Sequence, residues 1–156
     1  MRPLLLLGLS GVLLGCAPTQ FRVEASPQGT DSRLAVVKRL GWGTPEAFRA
    51  ARTTLEPLWP DLVWQGNGCS APEGLGLGYR NVFAPACEVH DFAYDNLRVL
   101  EPTAANRRAS DDAFYANMRA ICARRLLAAQ PACFSAAAAY YAAVRLRGHT
   151  RFAPGT

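Results

Sequence analysis

The chain has 156 residues, 50% hydrophobic and 19% charged, with a formal net charge of +5 and a mean hydropathy near zero. That length favours one domain, and the mixture suits a globule better than a disordered chain. The only membrane-like stretch, residues 4–15 with Ser10 inside it, falls short of the roughly 20 residues a spanning helix needs, so an integral membrane protein and a two-domain enzyme are excluded.

The first 15 residues read as an address. Met1-Arg2-Pro3 is a short positive start, residues 4–14 an apolar core, and Gly15-Cys16-Ala17 a small-residue exit, the order of a secretory signal peptide. Leu13-Leu14-Gly15-Cys16 resembles the bacterial lipobox, in which cleavage precedes the cysteine and lipid is attached to it. Ordinary cleavage after Ala17, which discards Cys16, is the alternative. Residues 16–30, rich in Pro, Thr, Gln, Ser and Gly, read as a flexible tether, leaving 31–156 as the domain. The expected location is the cell envelope as a lipid-anchored lipoprotein, or outside the cell if Cys16 carries no lipid. Export leaves Cys69, Cys87, Cys122 and Cys133 in an oxidising compartment, which implies two disulfides with three pairings open. No C-x-x-C pair exists and His90 and His149 lie far apart, so zinc is a poor fit.

Helix signals dominate the rest. Asp31-Ser32 caps a short helix over 34–40, stopped by Gly41-Trp42-Gly43. Thr44 is a good N-cap and Pro45 suits the first helical position, so a second helix runs to about Glu56. Residues 57–84, with three prolines and five glycines between 57 and 78, read as a long functional loop. Pro85 opens a third helix, and Thr103 or Ser110 a fourth. Pro131 opens the last, an Ala-rich run through Tyr140-Tyr141 that Gly148 stops. No strand is evident, so the expected fold is all-α. Tyr140 and Tyr141 read chiefly as core filling, with one of them available to reach a buried carboxylate.

Two helix faces carry the chemistry. Cys87, His90, Asp91 and Tyr94 fall at i, i+3, i+4 and i+7, and Asp111, Phe114, Met118 and Cys122 at i, i+3, i+7 and i+11. Asp111 therefore points inward among apolar neighbours, where a carboxylate is costly without a partner, and His90 is the obvious one. Asp112, turned about 100° away, belongs at the surface. Asp91 with the carbonyl oxygens of the Gly-bearing loop near Asn67 makes a hard-cation donor set suited to calcium.

Asn67-Gly68-Cys69-Ser70-Ala71-Pro72, the C-x-x-H-D-x-x-Y core from Cys87 to Tyr94, the run from Asp111 to Cys122, and Tyr140-Tyr141-Ala142-Ala143-Val144 together resemble the bacterial and fungal secreted phospholipase A2 family, over about residues 60–147. The resemblance implies two long antiparallel active-site helices, a Gly-rich calcium loop, and disulfides Cys69–Cys87 and Cys122–Cys133. It implies His90 as general base with Asp111 orienting it, and Ca2+ held by Asp91, Asn67 and the Gly68 carbonyl. The activity implied is calcium-dependent hydrolysis of the sn-2 ester of glycerophospholipids. One departure stands out: the family commonly has Asp where this chain has Asn67, which predicts weaker calcium binding. No G-x-S-x-G elbow is present, which argues against an α/β-hydrolase lipase.

From Arg98 onward nine arginines face three acids, a basic bias that suits anionic lipid surfaces, with Trp42, Trp59 or Trp64 at the interface. No nucleic-acid motif appears. The expected partner is a phospholipid surface, the expected state a monomer. The rival reading is a non-catalytic lipid-binding or structural envelope lipoprotein that keeps the scaffold, for which Asn67 is the best support.

Overall fold

A computed structural model describes residues 30–69 and 78–153. The signal segment, Cys16, the tether through residue 29 and most of the Gly-rich segment (70–77) lie outside the described residues. The elements are α1 (Thr30–Gly41), α2 (Pro45–Leu55), α3 (Arg80–Leu100), α4 (Ala104–Ala123), a 3-10 turn (Leu127–Ala129) and α5 (Gln130–Phe152). No strand occurs among the described residues, and the all-α expectation holds.

Local chemistry explains most of the boundaries. Thr44 caps α2, its hydroxyl accepting from the Ala47 N–H at 3.2 Å, with Pro45 in the first turn where a missing N–H costs nothing. Thr103, not Ser110, caps α4 by accepting from the Asn106 N–H at 3.1 Å. Three expected boundaries are overturned. α1 begins at Thr30, so Asp31-Ser32 lies within its first turn and the helix reaches into the last residue of the expected tether. Pro85 does not open α3 but lies inside it, five residues past its start. The hydrogen bond it forfeits is to the carbonyl of Asn81, an exposed residue near the helix N-terminus where water can replace the donor. Gly148 does not stop α5, which continues to Phe152.

Three residues join α3 to α4, and the two long helices pack antiparallel. Two hydrophobic clusters flank α3. One gathers α1, α2 and the 62–64 segment around Val37, Phe48, Trp64, Phe92 and Leu97, with Trp64 and Phe92 ring centroids 4.9 Å apart. The other joins α3 to α4 and α5 through Phe83, Phe114, Met118, Ala136, Ala137 and Tyr140. Fully burying each large side chain contributes about 1.5–3 kcal/mol. Trp64 is therefore core, and its indole N–H donates to the Trp59 carbonyl at 2.8 Å; of the three tryptophans expected at an interface, Trp42 is the exposed one. Disulfides join Cys69 to Cys87 and Cys122 to Cys133. The first ties the loop to α3 and the second ties α4 to α5.

Candidate active site

His90 and Asp111 meet between α3 and α4. His90 Nε2 lies 3.0 Å from Asp111 Oδ1; the histidine is 8% exposed and the carboxylate 0%. Both positions follow from the helix faces read in the sequence: Cys87, His90, Tyr94, Phe114, Met118 and Cys122 are all buried, whereas Asp112 is exposed. The imidazole is stacked on Phe114, centroids 4.6 Å apart, and tilted against Tyr94 at 4.1 Å. Two rings thus fix its plane.

Asp111 serves more than His90. Tyr94 Oη donates to Oδ1 at 2.5 Å, and Arg145 of α5 donates to Oδ2 at 2.7 Å, with Arg107 Nη1 3.6 Å from the same oxygen. Burial pushes the carboxyl pKa up, but the hydrogen bonds from His90, Tyr94 and Arg145 outweigh it and hold Asp111 below its ordinary value. Burial, with Asp111 beside it, pushes the Tyr94 hydroxyl well above its usual range, so it stays a proton donor. The tyrosine that reaches the buried carboxylate is thus Tyr94, not Tyr140 or Tyr141. Tyr141 donates to surface Asp112 at 2.6 Å, and buried Tyr140 packs edge-on against Phe83 at 5.4 Å. Arg107 and Arg145 escaped the sequence reading. The i, i+4 spacing from Arg107 to Asp111 was a usable signal; nothing local marks Arg145, 34 residues on.

Gly148 has a structural reason to be glycine. A Cβ there would lie 2.5 Å from Tyr94 Oη, so the missing side chain lets α5 press on the tyrosine that holds Asp111.

A cavity of about 300 Å³ opens beside this pair. His90, Phe114 and the Cys69–Cys87 bridge line it, together with an α5 face of Ala139, Tyr140, Ala143 and Val144. Asn67, Gly68 and Asp91 close one side, and the exposed arginines Arg147 and Arg151 also border it. An apolar wall with few polar groups suits an acyl chain carrying one reactive group.

The 63–69 segment is fixed onto α3 by a residue the sequence reading passed over. Asn96 accepts from the Val63 N–H at 2.9 Å and donates to the Val63 carbonyl at 2.9 Å. Beyond it, Gly68, at φ +75°, donates its N–H to Asp91 Oδ2 at 2.8 Å. Any side chain at Gly66 would overlap the Asp91 carboxylate, so glycine there leaves the acid a cradle of peptide groups. Burial raises the Asp91 pKa, with His90 and the Gly68 N–H acting the other way. With its amide oriented by its hydrogen-bond partners, Asn67 places its NH2 3.2 Å from Asp91 Oδ2 and its oxygen 2.9 Å from Arg151 Nη1. Among the described residues no three His, Cys, Asp or Glu side chains gather as a metal cluster. The oxygens that Asp91 and this segment can offer are one carboxylate, the Asn67 amide oxygen and backbone carbonyls such as that of Gly68, all hard donors. This set fits a calcium ion completed by water, more weakly than a site with two acids.

Fold and site together define a compact, disulfide-bonded helical domain whose buried His–Asp pair faces an apolar chain-sized cavity, the class to which small lipid hydrolases belong. The sequence model of the family described as prokaryotic phospholipase A2 matches residues 43–148. A secretory phospholipase A2 of Arthroderma benhamiae is 34% identical over 104 residues, covering 64% of this chain and 68% of the relative. The chain belongs to the prokaryotic phospholipase A2 family, and its chemistry is the hydrolysis of lipid esters.

Proposed function

We propose that this protein hydrolyses the sn-2 ester of glycerophospholipids, releasing a fatty acid and a lysophospholipid, with His90 as general base and calcium as cofactor. The observation that carries the reading is the His90–Asp111 contact beside the apolar cavity. With Asp111 accepting from Nε2–H, the other ring nitrogen, Nδ1, keeps its lone pair and can take a proton from water. As the ring becomes imidazolium, the Asp111 carboxylate stabilises it without itself being protonated. Tyr94 and Arg145 hold that carboxylate in place, and Phe114 limits ring rotation. The α5 face takes the acyl chain and excludes bulk water. The oxygens of Asp91, Asn67 and the Gly68 carbonyl would hold calcium, which when bound supplies positive charge for the lipid phosphate and for the oxyanion of the attacked carbonyl.

The relative's designation as secretory supports export of this chain, and the lipobox-like segment supports an anchor at Cys16. Lipid on Cys16, found by mass spectrometry of the mature N-terminus, is the expected result; a plain terminus at Pro18 removes the anchor.

The deciding assay is hydrolysis of mixed-chain phosphatidylcholine vesicles with and without a calcium chelator. Release of the sn-2 fatty acid, lost on chelation and lost by roughly 10²–10⁴-fold in His90→Ala, is expected. Undiminished release under chelation refutes the calcium assignment, and retained turnover in His90→Ala refutes the base.

A further inference from the structure

Arg151 lies in the last turn of α5, and nothing in the sequence reading gave it a task. Its guanidinium borders the catalytic cavity. With the Asn67 amide oriented by its partners, Nη1 donates to the amide oxygen at 2.9 Å, and Nη2 reaches Asp95 Oδ1 at 3.5 Å. Asp95 is 8% exposed and has a second cation, Arg98, at 3.7 Å. Arg151 is also among the charges that act on Asp91. The side chain therefore sits at one of the oxygens that the proposed function assigns to calcium, that of Asn67.

A guanidinium and a divalent ion on the same amide oxygen repel each other. The guanidinium is charged at every relevant pH, and its N–H groups take the Asn67 oxygen that a metal would coordinate. The remaining donors complete the arrangement, with the Gly68 N–H and the Asn67 NH2 both on Asp91 Oδ2. The amide at position 67 suits this closed form, because it can donate to Asp91 and accept from Arg151 together, which a carboxylate cannot.

We propose that Arg151 is a built-in competitor of calcium: its guanidinium, placed on the Asn67 oxygen, would oppose a divalent ion at the same atom. Asp95 gives the guanidinium a second anchor on α3. The consequence is a raised calcium threshold, in the weak class near 10⁻⁴–10⁻³ M that suits extracellular calcium. The inference rests on the calcium reading above and adds a residue that sets its affinity.

The test is calorimetric titration of chelator-stripped full-length protein with calcium chloride. Arg151→Gln is expected to tighten calcium binding roughly tenfold, because it removes both a like charge and the competing hydrogen bond. Arg151→Lys keeps the charge without the fork and should fall between Arg151→Gln and the wild type. Arg124→Gln changes net charge equally at the far end of α4, where Arg124 pairs with Glu46 at 2.7 Å; it should change calcium affinity less than about twofold. Equal affinities for Arg151→Gln and wild type, or an equal gain in Arg124→Gln, overturn the role of Arg151. Both outcomes leave the hydrolase reading standing, since chelator sensitivity of hydrolysis is read in a separate assay.

Discussion

Asp111→Asn probes the centre of the site on two independent readouts. The substitution keeps shape and one acceptor oxygen but removes the charge that faces Arg145 at 2.7 Å and Arg107 at 3.6 Å. Removing one partner of a buried ion pair costs about 3–5 kcal/mol. Here the two arginine side chains are 26% and 17% exposed, so water relieves part of that, and about 2–3 kcal/mol is expected. Because the folded Asp111 carboxyl lies below its ordinary pKa, its stabilisation is fully present above the unfolded value near 4 and is lost as pH falls through the lower folded value. Urea unfolding of wild type and Asp111→Asn should therefore show the full gap near pH 7 and a shrinking gap below about pH 4. The second readout is turnover. An amide can present its NH2 to His90 Nε2 and favour the tautomer that lacks a free base at Nδ1, a fault worth roughly 10³–10⁴ in kcat. A stability gap that stays constant into strong acid refutes the ion-pair account, and near-normal kcat refutes the orienting role.

Tyr94→Phe removes one hydrogen bond to a charged acceptor, so unfolding should cost about 1.5–3 kcal/mol less, while turnover falls far less than in His90→Ala; equal kinetic losses in the two variants contradict the assignment of Tyr94 as a positioning residue. Gly148→Ala forces a methyl against the Tyr94 hydroxyl, and a loss of about 1–3 kcal/mol is expected, together with a lower kcat at unchanged circular dichroism; a neutral result means that α5 yields at this point. Replacing both Cys122 and Cys133 by alanine opens an 11-residue separation and should lower stability by about 2–4 kcal/mol with calcium affinity intact. Replacing Cys69 and Cys87, separated by 18, should lower calcium affinity as well, because Gly68 is tethered to α3 beside that bridge. If calorimetry shows the same calcium affinity for both double variants, the loop does not depend on its bridge.

What could be read along the chain was what neighbours in sequence decide. The caps at Thr44 and Thr103 are contacts across three residues, and the i, i+3, i+4 rule alone placed His90 beside Cys87 and turned Asp111 inward and Asp112 outward. The pairing of His90 with Asp111 was legible because a buried carboxylate needs a partner and few candidates existed. Local rules failed at Pro85 and Gly148, where the usual helix-boundary residues lie inside helices. At Pro85 an exposed carbonyl makes the lost hydrogen bond cheap. At Gly148 the ring of Tyr94, 54 residues earlier in the chain, requires the space.

Tertiary structure alone decided the rest of the site. Arg145 reaches Asp111, Arg151 reaches Asn67 and Asp95, and Asn96 holds Val63, all between elements distant in sequence. These contacts depend on how α5 is rotated and laid across α3 and α4, a rotation set by the packing of Ala136, Ala137 and Tyr140 against Phe83 and Met118. Helical periodicity tells which face a residue occupies; only the packed helices determine which charge on another face it meets.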